Sequence, residues 1–217
     1  MYKIGIIEDD LMMRIMIGDR LKRANKNFGP TLEVHPIDFD NKTIEELIDV
    51  IYEQKFDAIV IDQKLKSTNT EIDYEGTDIA FEVEQIVHFF PVFILTSYDL
   101  DAESAHFTDV NKVYKKEKYI GDEQGDFVEL INRKIVKQIE HYKNRLLTAE
   151  AELLELNKKP KLTNEEKEKL LHLDHLVEKS ICGRHHTPLS LKNTDEKLSQ
   201  LMSIFNNFIT KSDVDGS

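Results

Sequence analysis

The sequence predicts an α/β protein: a doubly wound parallel sheet followed by an all-α tail. Three observations carry this expectation. Over roughly the first 120 residues, five short apolar runs alternate with helical patterns, the signature of a parallel sheet with crossover helices. The run Phe56-Asp57-Ala58-Ile59-Val60-Ile61-Asp62 is almost continuously apolar and rich in β-branched residues, as a strand buried on both faces must be. From Asp126 the pattern changes to a 3.5-residue repeat, which belongs to long packed helices.

Taken in order, Lys3 to Ile7 reads as the first strand and runs into Glu8-Asp9-Asp10. Asp10 is suited to cap the helix that follows, whose apolar side is expected to hold Leu11, Met12, Ile15, Met16 and Leu21. Thr31 to Ile37 is the second strand, and Pro36 places it at an edge or marks its end. Thr43-Ile44-Glu45-Glu46 matches a capping box and opens a helix with Ile44, Leu47, Ile48 and Ile51 on one face. The strand ending at Asp62 follows. The polar segment Gln63 to Glu75 is long for a compact domain, and loops of that length are often functional. After Gly76 a helix is expected over Thr77–Val87, a strand over Pro91–Thr96, a short helix within Asp99–Asn111 and a last strand at Lys112–Tyr114.

The tail is expected to begin with one helix from Asp126 to Asn157, about 48 Å long at 1.5 Å per residue. Its residues Ile139, Tyr142, Leu146, Ala149, Leu153 and Leu156 form a heptad seam that must be covered, by later helices of the same chain or by a second copy. Lys158-Lys159-Pro160 breaks the helix, and Thr163 to Glu166 is a second capping box. The next helix carries Leu170, Leu173, Val177 and Ile181 on one face and stops at Gly183. Asn193 with Glu196 suggests a third cap, opening a helix with Leu198, Leu201, Met202, Phe205, Phe208 and Ile209 inward. The division expected is 1–125 for the α/β domain, 126–211 for the helical extension and 212–217 for a terminus without fixed structure.

Composition narrows the function classes. The hydrophobic share of 40% is ordinary, and no apolar run approaches the roughly 18 residues of a membrane span. The chain enters strand-like sequence at once, without the pattern of a signal peptide, and its single cysteine, Cys182, excludes an internal disulfide. A cytoplasmic protein is expected. Residues 1–126 carry a net −13 and residues 127–217 a net +1, so neither half offers the basic stripe of a nucleic-acid binder.

The chemistry converges on strand ends. In open α/β sheets ligands sit outside the carboxyl ends of the strands, and there the sequence places Asp62, Glu8 with Asp9, Thr96 with Ser97, and Lys115. Clustered carboxylates repel unless a cation or proton relieves them. A hard divalent ion, most naturally Mg²⁺, does so while keeping positions open for phosphate oxygens. A carboxylate can also attack phosphorus to form an aspartyl phosphate, with the metal, a lysine and a hydroxyl meeting the developing charge.

With these pieces the first 120 residues resemble the receiver domain of two-component response regulators. The matching segments are Ile6 to Asp10, Asp57 to Asp62, Gly76, Phe93 to Ser97, and Val113-Tyr114-Lys115. The resemblance implies a five-stranded flavodoxin-like sheet with Asp62 as phosphoacceptor. Asp9 and Asp62 are then direct Mg²⁺ ligands, Glu8 holds the metal through water and the Lys64 backbone carbonyl completes the set. Thr96 is the switch hydroxyl and Lys115 the partner lysine, with Lys116 as its rival. The protein is then no enzyme but a phosphoacceptor switch that assists its own phosphorylation and dephosphorylation. It is served by a histidine kinase or phosphotransfer protein, and its output passes through a downstream protein or pairing of two copies. Two positions depart from the family: Lys116 stands where proline usually follows the lysine, and Lys112 stands where an aromatic switch is usual. A pseudo-receiver scaffold on an oligomerising tail is the alternative these departures keep.

Weaker readings fall on their own chemistry. A dehalogenase-like phosphatase needs a second acid where Lys64 stands. The residues His172, Asp174, His175, Cys182, His185 and His186 match no closed zinc spacing. The link through Pro188 is too long for a helix-turn-helix.

Overall fold

The computed structural model describes residues 1–23, 29–65, 72–87, 89–97 and 112–192. The expected short helix within 99–111 and the helix opening at Asn193 lie outside the described residues. Five strands, β1 (Tyr2–Ile7), β2 (Leu32–Pro36), β3 (Ala58–Asp62), β4 (Val92–Thr96) and β5 (Val113–Lys115), form one sheet in the order β2-β1-β3-β4-β5. All four pairings are parallel, and β3 registers Asp62 beside Leu95 of β4. Pro36 ends β2 on the sheet edge, where its missing N–H leaves no gap in the ladder.

Period-two alternation splits the strands between two cores. Ile59 and Ile61 face one side with α2 (Ile44–Glu53) and α3 (Gly76–Ile86). Ala58 and Val60 face the other with α1 (Leu11–Arg23), α4 (Lys116–Ile120) and the long α5 (Asp126–Asn157). The capping box at Thr43 forms in both directions, Thr43 Oγ1 accepting from the Glu46 N–H and Glu46 from the Thr43 N–H.

Helix α1 is rotated relative to the expected face. Its buried residues are Ile17 and Leu21, with Met13 packed beside them, whereas Leu11, Met12, Ile15 and Met16 are exposed. Asp10 does cap it, Oδ1 accepting from the N–H groups of Met12 and Met13.

Helix α5 matches its expected bounds, but its first half is part of the α/β core, with Val128, Ile131, Ile135 and Ile139 against the sheet. A buried polar staple fixes it there. Tyr119 Oη donates to Asn132 Oδ1 at 2.7 Å, and Asn132 Nδ2 donates to the carbonyl oxygens of Arg20 and Leu21 at the end of α1. Asp122 caps the helix by accepting from the Phe127 and Val128 N–H groups. Farther along, α5 passes the amino ends of the strands. Lys143 pairs with Asp57 at 2.6 Å, and Tyr142 meets the edge of the Phe90 ring.

Helix α6 (Asn164–Cys182) packs back along α5, and the second half of the heptad seam, Ala149 and Leu156, is buried within the chain. Of the four residues expected to share one face of α6, Leu170, Leu173 and Val177 are partly buried and Ile181 is exposed. Gly183, at φ +55°, stops α6 and starts a 3₁₀ turn (Gly183–His185) that lands on α2. A Cβ there would lie 2.6 Å from Tyr52 Cδ2, so glycine lets the backbone rest on the ring. Arg184 holds Asp49 of α2 with two hydrogen bonds of 2.6 Å. A last turn, α7 (Leu189–Lys192), brings Lys192 to Asp174 and Glu178 of α6.

This closure titrates. Arg184 holds the Asp49 carboxyl below its ordinary value. The hydrogen bond from Lys192, followed by those from Thr187, lowers Glu178 from 4.5 to about 2. A carboxylate depressed in the folded state contributes stability above its unfolded pKa and loses it as pH falls through the folded one. The hold of Lys192 and Thr187 on Glu178 is therefore expected to weaken between about pH 4.5 and pH 2. The amide shift of Thr187, whose N–H donates to Glu178, reports it in NMR spectra. A shift constant down to pH 2 contradicts the assignment.

Candidate functional site

The site sits at the carboxyl ends of the three central strands. Strand β1 delivers Glu8 and Asp9, and β3 delivers Asp62 as its last residue. Ligand oxygens of all three lie within 4.8 Å of one another, with Glu8 and Asp62 buried and Asp9 partly exposed. Thr96, fully buried, ends β4 one position beyond the residue registered with Asp62. The β3–α3 connection is drawn tight against the site, because the Gly76 N–H donates to the Gln63 carbonyl at 3.0 Å. Gln63 Nε2 donates to Glu75 and Thr77, and the Lys64 ammonium is held by Glu75 at 2.9 Å.

One expected residue is replaced by its neighbour. Lys115 ends β5 with its side chain exposed, while Lys116 is buried and places its ammonium 2.8 Å from both Glu8 Oε2 and Asp62 Oδ2. The strand period suggested Lys115, but β5 stops there, and the backbone turns into α4 at Lys116. Beyond the strand the period-two rule no longer sets side-chain direction. Counting from Lys116, the residue three positions earlier is the buried Val113, while Lys112 pairs with Glu84. The residue directly after is Glu117, so neither the aromatic nor the proline of the family pattern is present.

Electrostatics follow from burial. Removal from water raises the Glu8 carboxyl to about 7, and the neighbouring Asp62 charge pushes the same way. Burial also raises Asp62, against the attraction of Lys116. Burial opposes the charge on Lys116 too, yet Asp62 and Glu8 together raise its pKa. Three carboxylates against one ammonium leave about two negative charges when all are ionised. An all-oxygen donor set with that residual charge fits a hard divalent cation.

Sheet order and site together define a class: a flavodoxin-like five-stranded parallel sheet with an acidic cluster at the strand ends, extended by helices. Among solved structures the chain is similar to one described as the Mn(2+)-bound form of response regulator Rcp1. The identity is 17% over 60% of this chain and 91% of that one, with a TM-score of 0.41. No protein-family model and no curated protein matches the chain.

Proposed function

We propose that this chain is a response regulator switched by phosphorylation of Asp62. The observation that carries the reading is the meeting of Glu8, Asp9 and Asp62 within 4.8 Å, with the Lys116 ammonium 2.8 Å from two of them. Asp9 and Asp62 would hold Mg²⁺ directly, Glu8 through water and Lys64 through its carbonyl. A bound cation would neutralise charge on the incoming phosphoryl group.

An Asp62 oxygen attacks phosphorus, an O–P bond forms, and the bond to the donor nitrogen breaks. The donor imidazole leaves with the electron pair. Lys116 exchanges its hold on the Asp62 carboxylate for a phosphoryl oxygen, and the Thr96 hydroxyl donates to another. Water attack on the same phosphorus later restores the carboxylate.

The relay to the tail is short. Lys116 is the first residue of α4, and Tyr119, one turn on, is hydrogen-bonded to Asn132 of α5. A shift of Lys116 therefore biases α4 and the helix that begins the extension, and output passes to a protein partner through those helices. The phosphodonor is a histidine kinase or phosphotransfer protein. Its docking face is α1, whose Leu11, Met12 and Ile15 are each more than half exposed next to Asp9 and Asp10.

Intact-mass measurement with Mg²⁺ and a small phosphodonor tests this. Wild type is expected to gain one phosphoryl group and Asp62→Asn none. Ile15→Asp should keep uptake from the small donor but lose it from a histidine-bound one. A wild-type chain left unmodified by every donor refutes the reading.

A further inference from the structure

Between α5 and α6 runs an open groove of about 560 Å³, far more than a single water fills. Ala149, Leu173 and Leu176 form its apolar floor, and the exposed His141, Arg145 and His172 stand on its rim. Ala149 is small and buried, so the groove reaches down between the two helices. Glu152, the one acidic lining residue, pairs with Lys169 at 3.0 Å. Arg145 lies over the Phe89 ring at 3.9 Å, and a guanidinium stacked by its face still presents N–H donors in its plane. Helix α7 does not cover the groove. Its Lys192 holds Asp174 and Glu178, on the opposite face of α6 from Leu173 and Leu176.

The outer side of α5 carries a ridge of matching chemistry. Leu147 and Leu154 are each 61% exposed, with the exposed Ala151 between them. Spacings of four and three align the three residues along the helix, about 120° around its axis from the groove lining. The ridge is about 10 Å long, against about 17 Å of α5 along the groove. Glu150 and Glu155 flank it, both exposed. Glu155 pairs with Lys158 at 2.6 Å, a surface pair exchanged at little cost. A chain of net charge −12 repels its own copies, so a self-contact needs local patches of opposite sign. The acidic flanks of the ridge and the basic rim of the groove are such patches.

We propose that the ridge of Leu147, Ala151 and Leu154 on one copy of the chain seats in the α5–α6 groove of another. Glu150 and Glu155 then face His141, Arg145 and His172 across the contact. Ridge and groove lie on different sides of one helix, so the contact is heterologous, and copies add head to tail through the helical extension. The proposal stands independently of the phosphoacceptor reading, since none of its residues belongs to the acidic site.

Sedimentation of the full chain tests it. Wild type is expected to rise in mass above the monomer as concentration increases. Leu147→Asp with Leu154→Asp removes the ridge, and Arg145→Glu with Thr148→Glu spoils the groove, all four at exposed positions. Each double variant should need about ten-fold or more higher concentration for the same association. Mixed together, the two should form a particle of two chains, because one retains the groove and the other the ridge. If a double variant loses helix by circular dichroism, the single changes Leu154→Gln and Arg145→Gln provide the same readings. A wild type that stays monomeric overturns the proposal, as does a variant that associates like wild type or a mixture that remains monomeric.

Discussion

Replacing Lys116 by methionine is expected to destabilise the protein by about 3–5 kcal/mol, the usual cost of leaving a buried charge without its partner. The methionine retains most of the apolar stem, so the loss isolates the ammonium. Without it, Glu8 and Asp62 face one another in a buried site with no counter-charge, and the nearby Asp9 adds to the repulsion. A divalent cation can take over the role of the ammonium, so Mg²⁺ should raise the stability of Lys116→Met more than that of wild type. The matched control is Lys115→Ala. Lys115 is exposed at the end of β5, and its removal should change stability by about 0.5 kcal/mol or less. Urea unfolding of the three proteins, with and without Mg²⁺, reads both effects. Equal losses at the two positions would contradict the assignment of Lys116 to the site.

The contrast between those two lysines shows where sequence reading reaches its limit. The apolar run ending at Asp62, the acidic residues after β1 and the hydroxyl after β4 were legible because each is fixed by the end of a strand. The lysine depends on where β5 gives way to α4, and a boundary off by one residue exchanges a buried side chain for an exposed one. Helix α1 failed for a different reason. Leu11, Met12, Met13, Ile15, Met16, Ile17 and Leu21 wrap most of its circumference, so hydrophobicity selects no face. Tertiary contacts with the sheet did so, leaving Ile15 and Met16 outside. The heptad seam of α5 was visible as a stripe, but a stripe does not name its cover. In the structure Ile139 meets the sheet, Tyr142 meets Phe90, and Ala149 and Leu156 lie along α6. The Tyr119–Asn132 staple carried no signal in the periodicity, because a buried asparagine reads as a break in an apolar face. The caps at Thr43 and Thr163 were legible because both their bonds are local.

Gly76→Ala is expected to be as damaging as the loss of Lys116, through sterics alone. A Cβ at Gly76 would lie 2.9 Å from both the Asp62 carbonyl carbon and Ile61 Cγ2, and nearer still to the Asp62 carbonyl oxygen. The obstacle is backbone at the end of the central strand, so no rotamer change relieves it. Either α3 moves away from the sheet or the end of β3 moves with its carboxylate. Over-packing of this kind costs about 1–3 kcal/mol and more where backbone must shift; at least about 3 kcal/mol is expected here. Because the displaced carbonyl belongs to Asp62, cation affinity should fall along with stability. Gly18→Ala provides the opposite case. That Cβ would meet only Val34 Cγ1, at 3.7 Å, an ordinary contact, and alanine is favoured over glycine inside a helix by about 1 kcal/mol. One substitution is therefore expected to destabilise and the other to stabilise, although both glycines are enclosed within the same α/β core. Thermal unfolding separates them by sign, and a cation titration of Gly76→Ala at a temperature where it remains folded shows whether α3 or β3 gave way. Unaltered affinity means that the helix moved; weakened affinity means that the strand end carrying Asp62 moved.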